Sequence, residues 1–95
     1  MFVVLLKFSG NKSLAAQFLE GHKAWLKRGF EEGMFLLSGS LQPNPGGGIF
    51  AHNTSLPELQ SRLNADPFVA NGVASPEIHE IAPSRADERL KFVLG

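Results

Sequence analysis

The chain has 95 residues, of which 43% are apolar and 19% charged, and this describes one small globular, soluble domain rather than a disordered tail or a two-domain enzyme. Nine Lys and Arg balance nine Asp and Glu, so the footprint needed to neutralise many phosphates is missing and nucleic acid is not an expected partner. With no cysteine there is no disulfide, thiolate metal site or thiol nucleophile, which suits a reducing cytoplasm.

The opening Met1 to Phe8 is rich in β-branched and aromatic side chains and ends at Ser9-Gly10-Asn11, the pattern of a strand closed by a turn. It is too short to span a membrane, and it lacks the basic start and cleavage site of a signal peptide, so no membrane partner is expected. Phe2, Val4, Leu6 and Phe8 alternate with Val3 and Leu5, giving a strand apolar on both faces and therefore central.

From Ser13 to Glu32 the apolar spacing becomes three and four, predicting a long helix with Ser13 as N-cap and Gly33 as the stop. Met34 to Leu41 reads as a second strand, with Ser38 and Ser40 on one face together with Met34 and Leu36. Gln42 to Gly48 reads as a turn and Ile49 to Asn53 as a third strand completing a hairpin. The Pro45 to Gly48 stretch lacks the Gly-Lys-Ser/Thr of a phosphate loop and is followed by a strand, so it reads as turn chemistry. Ser55 and Glu58 have capping-box spacing ahead of a second helix to about Asn64. Asp66-Pro67 opens a short helical turn, and a fourth strand runs from Val73 to about Ala82. Pro76 predicts an edge position or a bulge in that strand.

The resulting order, β-α-β-β-α-β, predicts a ferredoxin-like α+β fold with a four-stranded antiparallel sheet. Helices cover only one face, so the apolar second face predicts a sheet-on-sheet homodimer. The whole chain, 1–95, reads as one domain with its core in about 1–83 and a tail from 84. RNA recognition motifs share this element order, but the third strand lacks their basic and aromatic signature.

On a helical wheel His22 falls in the middle of the first helix's apolar arc, where an imidazole either finds a structural partner or serves chemistry. Gly29 lies on the same face, and a mid-helix glycine costs about 1 kcal/mol relative to alanine, which suggests room left for a ligand. Asp66 is explained by helix capping, while its second oxygen offers an orienter for His22. Ser38 and Ser40 are candidate pocket hydroxyls, and Trp25, Phe18 and Phe68 are candidates for an apolar wall. His52 and His79 are single, without the ligand cluster a metal needs, so neither a metal nor another cofactor is expected. The tail charges Arg85, Asp87, Glu88, Arg89 and Lys91 alternate in sign as on a solvated face.

The helix bearing His22, the segment Gly33-Met34-Phe35-Leu36-Leu37-Ser38-Gly39, and Asp66-Pro67-Phe68-Val69 followed by Gly72-Val73 together resemble the YCII-related (YciI-like) family over about residues 1–83. The resemblance implies a ferredoxin-like fold assembled as dimers related to the dimeric α+β barrels. It also implies a His and Asp active-site pair, matched here by His22 and Asp66. For activity it implies a small organic substrate, one biodegradative relative eliminating chloride from a hydroxylated ring. Lyase, isomerase or dehalogenase chemistry at His22 is the expectation, with a noncatalytic ligand-binding or interaction dimer as the alternative. Where the family often carries an arginine a turn before the histidine and a proline after the strand glycine, this chain has Phe18, Leu19 and Ser40. The missing arginine points towards a neutral or aromatic substrate.

Overall fold

The computed structural model describes residues 1–43 and 45–94; Asn44, inside the expected Gln42 to Gly48 turn, and Gly95 lie outside the described residues. Strands β1 (Phe2–Phe8), β2 (Phe35–Ser40), β3 (Gly47–Ala51) and β4 (Ala74–Glu80) form one sheet in the order β2-β3-β1-β4, each neighbouring pair antiparallel. Between them run α1 (Ala15–Glu31), α2 (Leu56–Asn64) and the short α3 (Pro67–Ala70). This is the expected ferredoxin-like α+β arrangement, with β1 central because it is the strand apolar on both sides.

Phe2, Val4 and Leu6 of β1, Phe35, Ile49 and Ala51 form the buried side of the sheet and pack with Trp25, Leu59, Leu63 and Phe68 from the helices. Burial of a side chain such as Ile49 or Leu59 contributes about 1.5–3 kcal/mol, so this one layer carries most of the stability. Leu14, Leu19 and Phe30, at the borders of the α1 apolar arc, stay exposed.

Several boundaries differ from expectation for local reasons. Ser13 does not cap α1: residues Lys12–Leu14 form a 3₁₀ turn, and Leu14 takes the N-cap position without a side-chain hydrogen bond. Gly33 does end the helix, at φ 74°, with its N–H donating to the Phe30 carbonyl. At α2 the Ser55 hydroxyl oxygen accepts from the Glu58 N–H at 3.3 Å, and its O–H donates to the Glu58 carboxylate at 2.9 Å, so half of the expected box forms. Strand β4 is an edge strand in unbroken register with β1, so Pro76 faces the free edge and needs no bulge.

The irregularity lies in β2 instead. Phe35 pairs with Ala51 and Leu37 with Phe50, so Leu36 is an extra residue and the strand's alternation shifts there. Ser38 and Ser40 therefore share the helix-facing side with Phe35, Ile49 and Val4, not with Met34 and Leu36 as strict alternation predicts. The opposite face presents Val3, Leu5, Leu37 and Phe50; Leu37 is 53% and Phe50 37% exposed. In the tail, Glu88–Leu94 forms a 3₁₀ segment in which Phe92 sits edge-on to His52, with ring centroids 5.5 Å apart. No helix among the described residues is long and apolar enough to cross a membrane.

Candidate active site

The site is built around α3, whose four residues are too few to hold themselves together and depend on their cap. Asp66 supplies it: Oδ1 accepts from the Phe68 N–H at 3.0 Å. The same Oδ1 accepts from Nδ1 of His22 at 2.8 Å, and Asp66 is 0% exposed. Capping and orienting thus share one oxygen, where the sequence suggests one oxygen for each. The other oxygen, Oδ2, is buried without a partner among the described residues.

A carboxylate can only accept, so Nδ1 of His22 carries the proton and, in the neutral ring, Nε2 keeps its lone pair. The imidazole is 13% exposed and lies parallel to the Phe68 ring, with centroids 4.1 Å apart and planes 4° apart. Hydrogen bond and stack together restrict the ring's freedom to turn, so the imidazole is held in one orientation. Phe68 is brought there by the residue that caps it.

Beside this pair, between α1 and the β2–β3 hairpin, opens a pocket of about 330 Å³. His22, Phe68 and Ser38 line it, as do Leu6, Leu19, Leu26 and Ile49. The volume suits one small ring, and the wall is mostly apolar with few polar groups, as in small-molecule sites.

Three other candidates lie elsewhere. Trp25 is buried in the core, its Nε1 donating to the Arg62 carbonyl at 2.9 Å, and its indole does not line this pocket. It borders a separate groove between α1 and α2, where Arg62 pairs with Glu32. Gly29 leaves no room for a ligand: a Cβ there would lie 2.2 Å from two atoms of the Phe35 ring, so the glycine admits that ring between helix and strand. Phe18 packs against the core rather than on the pocket wall.

The structure adds residues that sequence reasoning missed. Lys23, next to His22 on α1, lines the pocket, and so do Gly46, Gly47 and Gly48 of the glycine stretch that reads as turn chemistry, while Ser40 joins Ser38 there as the second candidate hydroxyl. The signal for the glycines is their position: Gly47 and Gly48 belong to β3, where glycine weakens a strand and so calls for a reason other than turn formation. His52 and His79 stay apart, His79 pairing with Glu77 at 3.0 Å, and among the described residues no group of three or more His, Asp or Glu gathers. That hydrogen bond first, and then the Lys7 ammonium, hold the Glu77 carboxyl below its usual value.

No family model matches the chain, and no curated protein sequence matches it. Among solved structures it is similar to 5-chloro-2-hydroxyhydroquinone dehydrochlorinase from Burkholderia phenoliruptrix, in complex with 2,5-dihydroxybenzoquinone. The TM-score is 0.67 at 15% identity, over 85% of this chain and 93% of the other. At that identity the likeness establishes a shared fold.

Proposed function

We propose that this protein is a YciI-like enzyme of small organic molecules in which His22 moves a proton and Asp66 holds it in place. The observation that carries the reading is the 2.8 Å bond between Nδ1 and Oδ1 at the wall of a ring-sized pocket. In the step, Nε2 takes a proton from a carbon beside a carbonyl or from a phenol oxygen. The electron pair left behind forms a new double bond and expels a leaving group such as chloride, or is reprotonated at another carbon. The first outcome is elimination, the second isomerisation, and neither needs an oxidant, a metal or an organic cofactor. Asp66 stabilises the imidazolium that forms. The structural neighbour, named as a dehydrochlorinase and holding a dihydroxylated quinone, supports chemistry of this class on this fold.

We also propose that the chain folds as one domain, works in the cytoplasm and pairs with a second copy through Val3, Leu5, Leu37 and Phe50. A two-layer domain with a half-exposed apolar sheet face gains stability by covering it.

The test is solvent deuterium exchange at carbons beside the carbonyl of cyclic ketones and hydroxyquinones, with chloride release from chlorinated hydroxyhydroquinones, which leaves the corresponding hydroxyquinone, followed in parallel. The wild type is expected to catalyse one of these, and His22→Gln and Asp66→Asn each to lose about 10²- to 10⁴-fold while remaining folded. Catalysis that survives both substitutions sinks the reading and leaves the pair as a structural tie in a noncatalytic ligand-binding or interaction dimer.

A further inference from the structure

The proton-moving pair accounts for one wall of the pocket; the other walls bear on what sits beside it. Among the described residues no Asp or Glu lines the pocket, and Lys23 is the one lysine or arginine that does. Its side chain is 61% exposed, and the nearest paired carboxylate, Oε1 of Glu20, lies 3.9 Å away on a side chain that is almost wholly in solvent. An ion pair so long and so wet holds little energy, so the ammonium is free to swing to a bound anion. Across the pocket the bulge at Leu36 delivers Ser38 and Ser40 to the same space, two hydroxyls able to donate.

The floor is bare for a separate reason. Gly47 pairs with Leu6 and Ser40, so a side chain there would stand on the pocket side of the sheet. A Cβ at Gly47 would meet the Gly39 carbonyl oxygen at 3.5 Å and the Leu6 Cβ at 4.0 Å, ordinary contacts that do not require glycine. At Gly46, by contrast, φ is 136° and a Cβ would lie 2.6 Å from the Leu6 carbonyl oxygen, so backbone geometry demands glycine. Packing therefore explains Gly46 and leaves Gly47 to be explained by what occupies the pocket.

We propose that the site takes a planar ring bearing a negatively charged oxygen group, read by Lys23 with Ser38 and Ser40, and that Gly47 sets how deeply the ring enters. This rests on the reading of His22 and Asp66 as a small-molecule site. It reverses the expectation of a neutral substrate: the positive charge absent at Phe18 and Leu19 is supplied from the other side of His22.

The experiment is an NMR titration of the full-length protein with benzoate and with benzamide, which has nearly the same shape and no charge. Benzoate is expected to shift the signals of His22, Lys23, Gly47 and Phe68 saturably and at least about tenfold more tightly than benzamide, with the advantage shrinking in salt. Lys23→Gln should weaken benzoate about five- to tenfold and leave benzamide unchanged, and Lys23→Arg should restore it. Gly47→Val should abolish binding of both probes with the fold intact by circular dichroism. Equal affinity for the two probes, or benzoate binding indifferent to Lys23→Gln, overturns the proposal and leaves the His22–Asp66 reading standing. Absence of binding by both at millimolar concentration also overturns it, and the deuterium-exchange assay then decides the fate of the catalytic pair on its own.

Discussion

His22 and Phe68 lie face to face at 4.1 Å although 46 positions separate them in the chain, and one oxygen of Asp66 holds both, the first by its ring nitrogen and the second by its backbone. The imidazole and the ring it rests on are therefore set by a single atom. Changing Asp66 should disturb the tautomer, the stack and the start of α3 together.

The tautomer is directly readable. In the wild type the ¹⁵N shifts of the His22 ring should show a protonated Nδ1 and an unprotonated Nε2 at a pH where the ring is neutral. Asp66→Asn should mix or reverse this, since a side-chain amide can donate as well as accept. An unchanged tautomer in Asp66→Asn would mean that the bond does not fix the proton.

Stability separates the roles of the oxygen. Asp66→Ala removes the cap and leaves the His22 N–H unpaired in a nearly closed site, so a loss of about 2–4 kcal/mol is expected in urea unfolding. Asp66→Asn keeps an accepting oxygen and should lose about 1 kcal/mol or less. Equal losses would show that capping is not what the oxygen contributes.

Gly29→Ala sets two magnitudes against each other. Helix propensity favours alanine by about 1 kcal/mol, but the new methyl meets the Phe35 ring at 2.2 Å, and overpacking of a rigid core costs typically about 1–3 kcal/mol. Net destabilisation is expected, and Phe35→Leu in the same chain should recover part of it, a coupling that a double-mutant cycle measures. A stabilised single variant would show that the ring moves aside freely.

The open sheet face gives a prediction about assembly. Phe50→Asp or Leu37→Asp should convert the proposed dimer to monomer in light scattering, since a buried unpaired carboxylate costs more than the apolar contact gains. A wild type that is monomeric at 100 micromolar, roughly the range in which weak dimers still form, removes the dimer instead.

Glu77 carries the one pH dependence that neighbours on two strands impose. Its carboxyl is held below the usual value by the His79 hydrogen bond and then by Lys7, so its contribution is complete above the unfolded value near 4.5 and is lost as pH falls through the lower folded one. Because the group is exposed and screened by solvent, the effect is small. The stability difference between wild type and Glu77→Gln should narrow between neutral pH and pH 3, and a gap that widens on acidification contradicts the sign.

Much of this fold is written locally. The double-sided apolar run from Phe2 to Leu6 fixes β1 as a central strand, and Ser55, Asp66 and Gly33 mark element ends that the structure keeps. His22 is legible as a candidate because an imidazole in an apolar arc needs a partner, and Asp66 as a cap because it precedes proline, whereas their pairing is what the resemblance implies rather than what the residues alone dictate. What stayed hidden depends on contacts distant in sequence. The role of Gly29 is set by Phe35, the side on which Ser38 stands by the pairing of Leu37 with Phe50, and the place of Lys23 by a hairpin folding over its helix.

The extra residue at Leu36 acts as a reading frame for the strand. Everything beyond it, Ser38 and Ser40 included, faces the helices only because one position is skipped in the pairing with β3. Closing the bulge by a slip of one place, so that Leu36 pairs with Phe50, would leave composition and charge untouched, yet it would turn both hydroxyls to the outer surface and aim Leu37 at the pocket. A chain with the same residues but no bulge would keep this fold and its histidine while presenting a more apolar pocket wall, so the lining depends on register as much as on composition.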